Sequence, residues 1–293
     1  DSFLFLEIMD TGTGGANKMF AKGYNLESAN QADWTKLIDY YFQSETGIGA
    51  LDASVKEASA ILGTPRQKRQ IVISIPEPIV YQHPEQASSS TKYWGKIDNQ
   101  TLDFSNSADR IKACKWYIDQ VRAKFNEKNY QHVELAGFYW LAEKATDTRD
   151  ILNAVAIYLN KLKYSFNWIP YYGADGYNQW KSLGFNYAYF QPNYFFNESV
   201  PDSRLEDACQ KALTYDMHME LEFDDNALNS RGKAYRLKNY MSAFKKHGIW
   251  EKKRLAYYQG SASLLKKSGN AADTQLYHEF CNFVISRPIR SSH

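Results

Sequence analysis

Cysteine is scarce in this chain. Its three residues, Cys114, Cys209 and Cys281, fall in three separate helical stretches, with none of the close spacings that zinc or redox sites use. That excludes a cysteine metal centre and a disulfide framework, and leaves three buried free thiols as the expectation. No run of about 18 apolar residues occurs, so no membrane-spanning helix is expected. Charge of one sign is missing too. Lys and Arg number 35 against 33 Asp and Glu, for a net charge of +2. The one compact basic run, Arg66-Gln67-Lys68-Arg69, stands directly before a strand pattern, as a solvated loop would. A nucleic-acid partner needs a basic stripe and is not expected. Six histidines include no pair at helical metal spacing. His218 with Glu220 is the weak metal candidate, and no metal or other cofactor is expected. Gly12-Thr13-Gly14-Gly15 lacks the third spaced glycine of a dinucleotide site, where Asn17 stands, and lacks a Gly-Lys-Ser/Thr ending, so it reads as a loop rim. No Gly-x-Ser-x-Gly elbow marks a serine hydrolase.

Aromatic side chains are abundant instead: 22 Tyr, 16 Phe and 7 Trp, 15% of the chain. Tyr and Trp join a flat apolar face to a polar tip, which suits sugar rings as well as a core. The most informative segment is Met217-His218-Met219-Glu220-Leu221-Glu222-Phe223-Asp224, in which apolar and ionisable residues alternate. With a side-chain period of two, Met217, Met219, Leu221 and Phe223 share one face, and His218, Glu220, Glu222 and Asp224 the other. Four ionisable groups on one strand face predict a wet or chemically active surface, read here as a barrel interior.

Apolar runs of strand type recur at 3–9, 71–75, 133–140, 168–172, 187–190, 217–223 and 255–258. Helical patterns lie between them: Ile111, Cys114, Ile118, Val121 and Phe125; Ile151, Leu152, Val155, Leu159 and Leu162; Tyr240, Met241 and Phe244; and a final helix at 272–285. Ser203 with Glu206 reads as a capping box. Strand and helix alternate throughout, which predicts an α/β fold with parallel strands. The expectation is a single (β/α)8 TIM barrel over 1–293, with seven visible strands and the first lying upstream of Asp1. The long segments 10–30, 76–107 and 191–202 follow strands, where a barrel builds its active face.

Glycoside cleavage needs two carboxyl groups, one to protonate the leaving oxygen and one to attack the anomeric carbon or activate water. Strand-end candidates are Glu7, Asp10, Glu77, Glu143, Asp175, Glu220, Glu222 and Asp224. Glu143 follows Gly137-Phe138-Tyr139-Trp140-Leu141-Ala142, and Glu222 lies on the ionisable strand face. With one strand missing upstream, these two end the fourth and seventh strands. This arrangement resembles the large clan of retaining glycosidases, which implies Glu143 as acid/base and Glu222 as nucleophile. Ala142 departs from the Asn that the clan places before its acid/base. Gly137-Phe138-Tyr139-Trp140 with Glu143, Ile169-Pro170-Tyr171-Tyr172, Gln191-Pro192-Asn193-Tyr194 and Glu220-Leu221-Glu222-Phe223-Asp224 together resemble a bacterial family of unassigned function with a glycosidase-like barrel, found in polysaccharide-degrading gut bacteria. That resemblance covers nearly the whole chain and implies a secreted, periplasmic or surface monomer acting on an oligo- or polysaccharide. Glu7, Asp10, Trp94, Tyr139, Trp140, Tyr172, Gln191, Asn193, Glu220 and Tyr258 are the expected substrate contacts, the amides for sugar hydroxyls and the rings for stacking. The rival readings are a non-catalytic carbohydrate-binding barrel and a structural or adhesive surface domain.

Overall fold

A computed structural model describes residues 2–10, 17–260 and 262–288. The segment Gly12-Thr13-Gly14-Gly15 lies outside the described residues. The chain forms two compact units, residues 1–168 with 179–186, and residues 169–178 with 187–293.

In the first unit, β1 (Ser2–Phe5) leads into three two-residue strands, β2 (Met9–Asp10), β3 (Lys18–Met19) and β4 (Glu27–Ser28), which form a small sheet of their own. Helices α1 (Gln31–Tyr41) and α2 (Ile48–Leu62) follow, then β5 (Arg69–Ile75). A hairpin of β6 (Lys96–Ile97) and β7 (Gln100–Thr101) precedes α3 (Ser107–Lys128), β8 (Val133–Trp140), α4 (Arg149–Lys161) and β9 (Ser165–Trp168). Strands β1, β5, β8 and β9 pair side by side, all parallel. Local chemistry starts and stops these elements. Asn30 caps α1 in a full capping box with Asp33, which satisfies donors that a helix start leaves open. Asn129 ends α3 in the left-handed region at φ 47°, a conformation that Asn tolerates. The hairpin turns on Asp98 and Asn99, both left-handed, as a two-residue connection requires. The α4 stripe Ile151, Leu152, Val155, Ala156 and Leu159 is buried, as its spacing predicts.

The second unit contains β10 (Tyr187–Phe190), α5 (Ser203–Thr214), β11 (His218–Phe223), α6 (Ala234–Lys246), α7 (Ile249–Lys252), β12 (Leu255–Gln259), α8 (Ala262–Lys267) and α9 (Ala271–Ile285). Strands β10, β11 and β12 run parallel, with Glu222 opposite Tyr258. The chain is thus α/β with parallel strands in both units, and seven such strands occur among the described residues. The eighth strand that closes the expected barrel is not among them.

Two local expectations change. The capping box of Ser203 with Glu206 does not form: α5 starts from Asp202, which makes no side-chain cap bond and whose carboxylate instead accepts from the Tyr194 hydroxyl. The strand expected at 168–172 ends at Trp168, and only a bridge between Tyr171 and Gln191 follows. Prolonged pairing there is blocked by Pro170, which has no N–H to donate. The cysteines are free thiols as expected, with Cys114 in α3 and Cys209 in α5 buried and Cys281 partly so.

Between β5 and β8 the register skips Ala136: Ile71 faces Leu135, but Val72 faces Gly137. This is a bulge, one residue in excess on one strand. The backbone there is crowded, since a Cβ on Gly137 would stand 2.0 Å from Ser165 Oγ and 2.6 Å from its carbonyl oxygen. Gly137→Ala is expected to lower stability by about 1–3 kcal/mol through overpacking, read as a drop in the urea midpoint at unchanged slope.

Candidate functional site

The first unit gathers carboxyl groups just past neighbouring strand ends: Glu7 two residues beyond β1, Glu77 two beyond β5 and Glu143 three beyond β8. Glu77 sits in Pro76-Glu77-Pro78, where prolines remove two backbone donors and hold the chain extended. Its own N–H donates to the Phe20 carbonyl at 2.8 Å, and its Oε2 accepts from the Lys22 N–H at 2.8 Å. The residue is only 6% exposed. Burial pushes its carboxyl up to about 7, helped by the nearby Asp147 charge and opposed by the Lys22 N–H and the Lys22 and Lys144 charges. Glu7, half-buried, is also raised by desolvation, with a Tyr40 hydrogen bond opposing and Asp10 adding repulsion. Asp10 itself stands opposite Lys18 across the β2–β3 pair.

The segment after β8 is fixed on both sides of Glu143. The Ala142 carbonyl accepts from Trp168 Nε1 at 2.8 Å. Beyond Glu143, the Asp147 carbonyl accepts from the buried Arg110 at 2.9 Å, and Thr148 Oγ1 accepts from Trp140 Nε1 at 3.3 Å. Lys22 Nζ donates to Asp147 at 3.1 Å, so one lysine ties Glu77 and the Glu143 segment into a single polar network. Glu143 is partly exposed. Two expected sugar-stacking rings are instead core residues. Trp94 is 1% exposed, stacked on Phe104 and edge-on to Trp34 and Trp116, and Trp140 is 0% exposed against Phe166. Tyr139 is buried beside it. Their ring faces are covered by protein, so packing takes the place of stacking.

In the second unit, Glu222 is 0% exposed. Its Oε1 accepts from Gln191 Nε2 at 3.1 Å, and its Oε2 accepts from the Asn193 N–H at 2.8 Å and the Tyr240 hydroxyl at 2.5 Å. Desolvation raises the Glu222 carboxyl, while Tyr240, Gln191 and the Asn193 and Tyr194 N–H groups pull it back. Tyr240, wholly buried against this acid, is pushed far above the ordinary tyrosine value and remains a donor. The ionisable face of β11 is therefore closed at its centre: Glu220 is buried with Glu222, while His218, against the rings of Tyr187 and Tyr189, and Asp224 are partly exposed. Asn193 adopts φ 51°, which aims its N–H at the carboxylate. Tyr172 is covered on its faces by Phe190 and by the Arg204 guanidinium, 3.9 Å from the ring centroid. Of the expected aromatic contacts, Tyr258 is the open one, 53% exposed.

The sequence reading includes Glu77 among strand-end acids but does not place it in the working pair. Its proline-flanked position after an isoleucine-rich strand is the signal that marks it. Nothing local in the sequence marks Tyr240, Lys22 or Arg110, because their roles arise from contacts across the fold. Among the described residues no group of three or more His, Cys, Asp or Glu is arranged to hold a metal ion, and no helix is long and apolar enough to cross a membrane.

The family model for the domain of unknown function DUF4855 matches residues 1–282. No curated protein matches the sequence. Among solved structures, a family 18 chitinase from Crocus vernus overlays with a TM-score of 0.41 at 10% identity, covering 78% of this chain and 77% of that one. The catalytic domain of a family GH18 chitinase from the fern Peteris ryukyuensis gives 0.41 at 12% identity, over 80% and 78%.

Two stability tests follow from the buried acids. Because the Glu77 carboxyl in the folded chain lies near 7 rather than at its ordinary 4.5, the folded state holds the extra proton between those values. Stability is expected to fall as pH rises from about 4.5 to about 7, by about 3 kcal/mol in total. Glu77→Gln should remove that share of the slope and be the more stable form at pH 8, as measured by urea unfolding across pH. Glu222→Gln is expected to lose about 1–3 kcal/mol, because an amide NH2 meets a donor at either oxygen position: the Asn193 N–H cannot accept, and the Gln191 amide or the Tyr240 hydroxyl must turn to do so. Thermal melting of the two variants side by side checks the contrast.

Proposed function

The chain belongs to the DUF4855 family, and from that premise we propose that it is a glycoside hydrolase whose acid chemistry lies at the strand ends of the first unit. The observation that carries this reading is Glu77: a carboxyl 6% exposed, raised to about 7, beside the fixed segment that bears Glu143. A general acid must keep its proton at working pH and release it to a leaving oxygen, and burial is how a carboxyl is tuned for that task. Glu77 is the proton donor. Glu143 is the second carboxylate, which attacks the anomeric carbon in a retaining reaction or activates water in an inverting one. Glu222, whose oxygens are engaged by protein donors, holds the segment 191–194 in place. Closure into an eight-stranded barrel, a polysaccharide substrate and a secreted, periplasmic or surface location belong to the same proposal.

A second reading, a carbohydrate-binding barrel without chemistry, is favoured by Glu222 itself. A carboxylate that accepts at both oxygens from fixed donors is not free to attack a sugar.

The test is sugar release from a panel of oligosaccharides and activated aryl glycosides by the wild type, Glu77→Gln and Glu143→Gln. Without its acid, Glu77→Gln is expected to lose about 10²–10⁴-fold on oligosaccharides and far less on aryl glycosides whose leaving groups need no proton. Wild-type activity on oligosaccharides should decline above about pH 7. Unchanged rates in Glu77→Gln would remove it as the acid. A silent wild type that binds glycan saturably would establish the second reading.

A further inference from the structure

The backbone and the side chain of Lys22 serve different carboxyl groups. Its N–H donates to Glu77 Oε2 at 2.8 Å, while its ammonium lies 3.1 Å from Asp147 Oδ2. Backbone contacts fix both ends of this arrangement. On the Lys22 side, the Phe20 N–H donates to the Ile8 carbonyl and the Phe20 carbonyl accepts from the Glu77 N–H, each at 2.8 Å, and Phe20 and Ala21 are buried. On the Asp147 side, buried Arg110 donates to the Asp147 carbonyl at 2.9 Å and pairs with Asp150 at 2.6 Å. The Thr148 N–H donates to the Ala145 carbonyl at 3.0 Å. Two anchored segments thus present the lysine and the aspartate to each other, although the two side chains are 36% and 35% exposed.

A lysine carries its charge on a flexible stem of four carbons. An ammonium rooted at a residue whose own N–H touches a carboxyl oxygen is within reach of that carboxyl. There it would stabilise the ionised form and strip Glu77 of the proton that an acid must keep. Asp147 takes up that cation, and its own negative charge also opposes ionisation of Glu77. Lys144 and Tyr93 face Glu77 as well, and neither holds the lysine. Lys144 is a second, exposed cation that works against the proton. The Tyr93 hydroxyl donates to the Ile79 carbonyl at 2.5 Å, and burial raises it above the ordinary tyrosine value.

We propose that Asp147 is a positioning residue for the Glu77 acid: it holds the Lys22 ammonium in an ion pair and so keeps that cation off the Glu77 carboxyl. This rests on the reading of Glu77 as the proton donor, and it adds a residue outside the carboxyl pair that governs whether the donor holds its proton.

The titration of Glu77 itself is the readout, followed by carbon-13 NMR of glutamate-labelled protein, with the Glu77 signal assigned by its loss in Glu77→Gln. Asp147→Asn keeps the backbone carbonyl that Arg110 holds, and is expected to lower the Glu77 midpoint by about one pH unit, a tenfold loss of proton affinity. Lys22→Met keeps the N–H to Glu77 and should raise the midpoint, whereas Lys22→Arg should leave it near the wild-type value. In the Lys22→Met background, Asp147→Asn should move the midpoint less than about half as far, because the cation it would release is gone. An equal shift with and without Lys22 would mean direct repulsion alone and overturn the proposal, as would a midpoint that none of the variants moves. Should Asp147→Asn fail to fold, the Lys22→Met midpoint decides, and a value at or below the wild type overturns the proposal. On oligosaccharides, the decline in rate at high pH is expected to follow the same midpoints. Midpoints that shift as stated in a protein that releases no sugar would overturn the glycosidase reading and leave the placement of Lys22 by Asp147 standing.

Discussion

A carboxyl group taken out of water must be given hydrogen bonds or allowed to keep its proton, since an isolated buried charge is too costly to persist. Two buried acids, Glu222 and Glu77, answer this in opposite ways. Glu222 receives two side-chain donors and the N–H groups of Asn193 and Tyr194, and in return it fixes the course of the segment after β10. Glu77 receives one backbone N–H and a repelling neighbour, Asp147, and so holds its proton to about neutrality. One buried acid thus anchors a segment, and the other keeps its proton.

The anchoring extends beyond carboxylates. Arg236, 2% exposed, is held by backbone: its guanidinium donates to the Tyr194, Asn197 and Val200 carbonyls and lies 3.7 Å from the Tyr194 ring centroid. A planar fork of five donors can gather carbonyls from a turning backbone in a way that a lysine cannot. Arg110 in the first unit divides its donors instead, between the Asp147 carbonyl and the Asp150 carboxylate. Irregular segments so fixed behave as parts of the scaffold, which is what a site on loops needs if it is to be held to working geometry.

Much of the framework was legible in the sequence because it rests on local periodicity. The strand expected at 133–140 is found as Val133–Trp140, and the helices predicted from Ile111 to Phe125 and from Ile151 to Leu162 are present. What escaped was decided at a distance. Alternation on β11 correctly puts Glu220 and Glu222 on one face, but period alone cannot say whether that face meets water or a helix, and the hydroxyl of Tyr240, 18 residues on, closes it. The same limit applies to Trp94 and Trp140, whose aromatic chemistry fits a sugar or a core equally well until their neighbours are known. The short strands β2, β3, β4, β6 and β7 are too brief to carry a period. Ser203 kept the letter of a capping box while Asp202 took the position, its carboxylate already engaged by Tyr194.

The placement of the thiols has a practical side. Cys114 lies in α3 of the first unit and Cys209 in α5 of the second, both wholly buried, and burial drives each thiol up to about 12. A thiol in that state is inert to alkylation, because only the exposed thiolate reacts, so each becomes modified only when its own helix opens. The chain thus carries one built-in chemical clock per unit, and peptide-resolved labelling rates read the opening of each without any engineered probe.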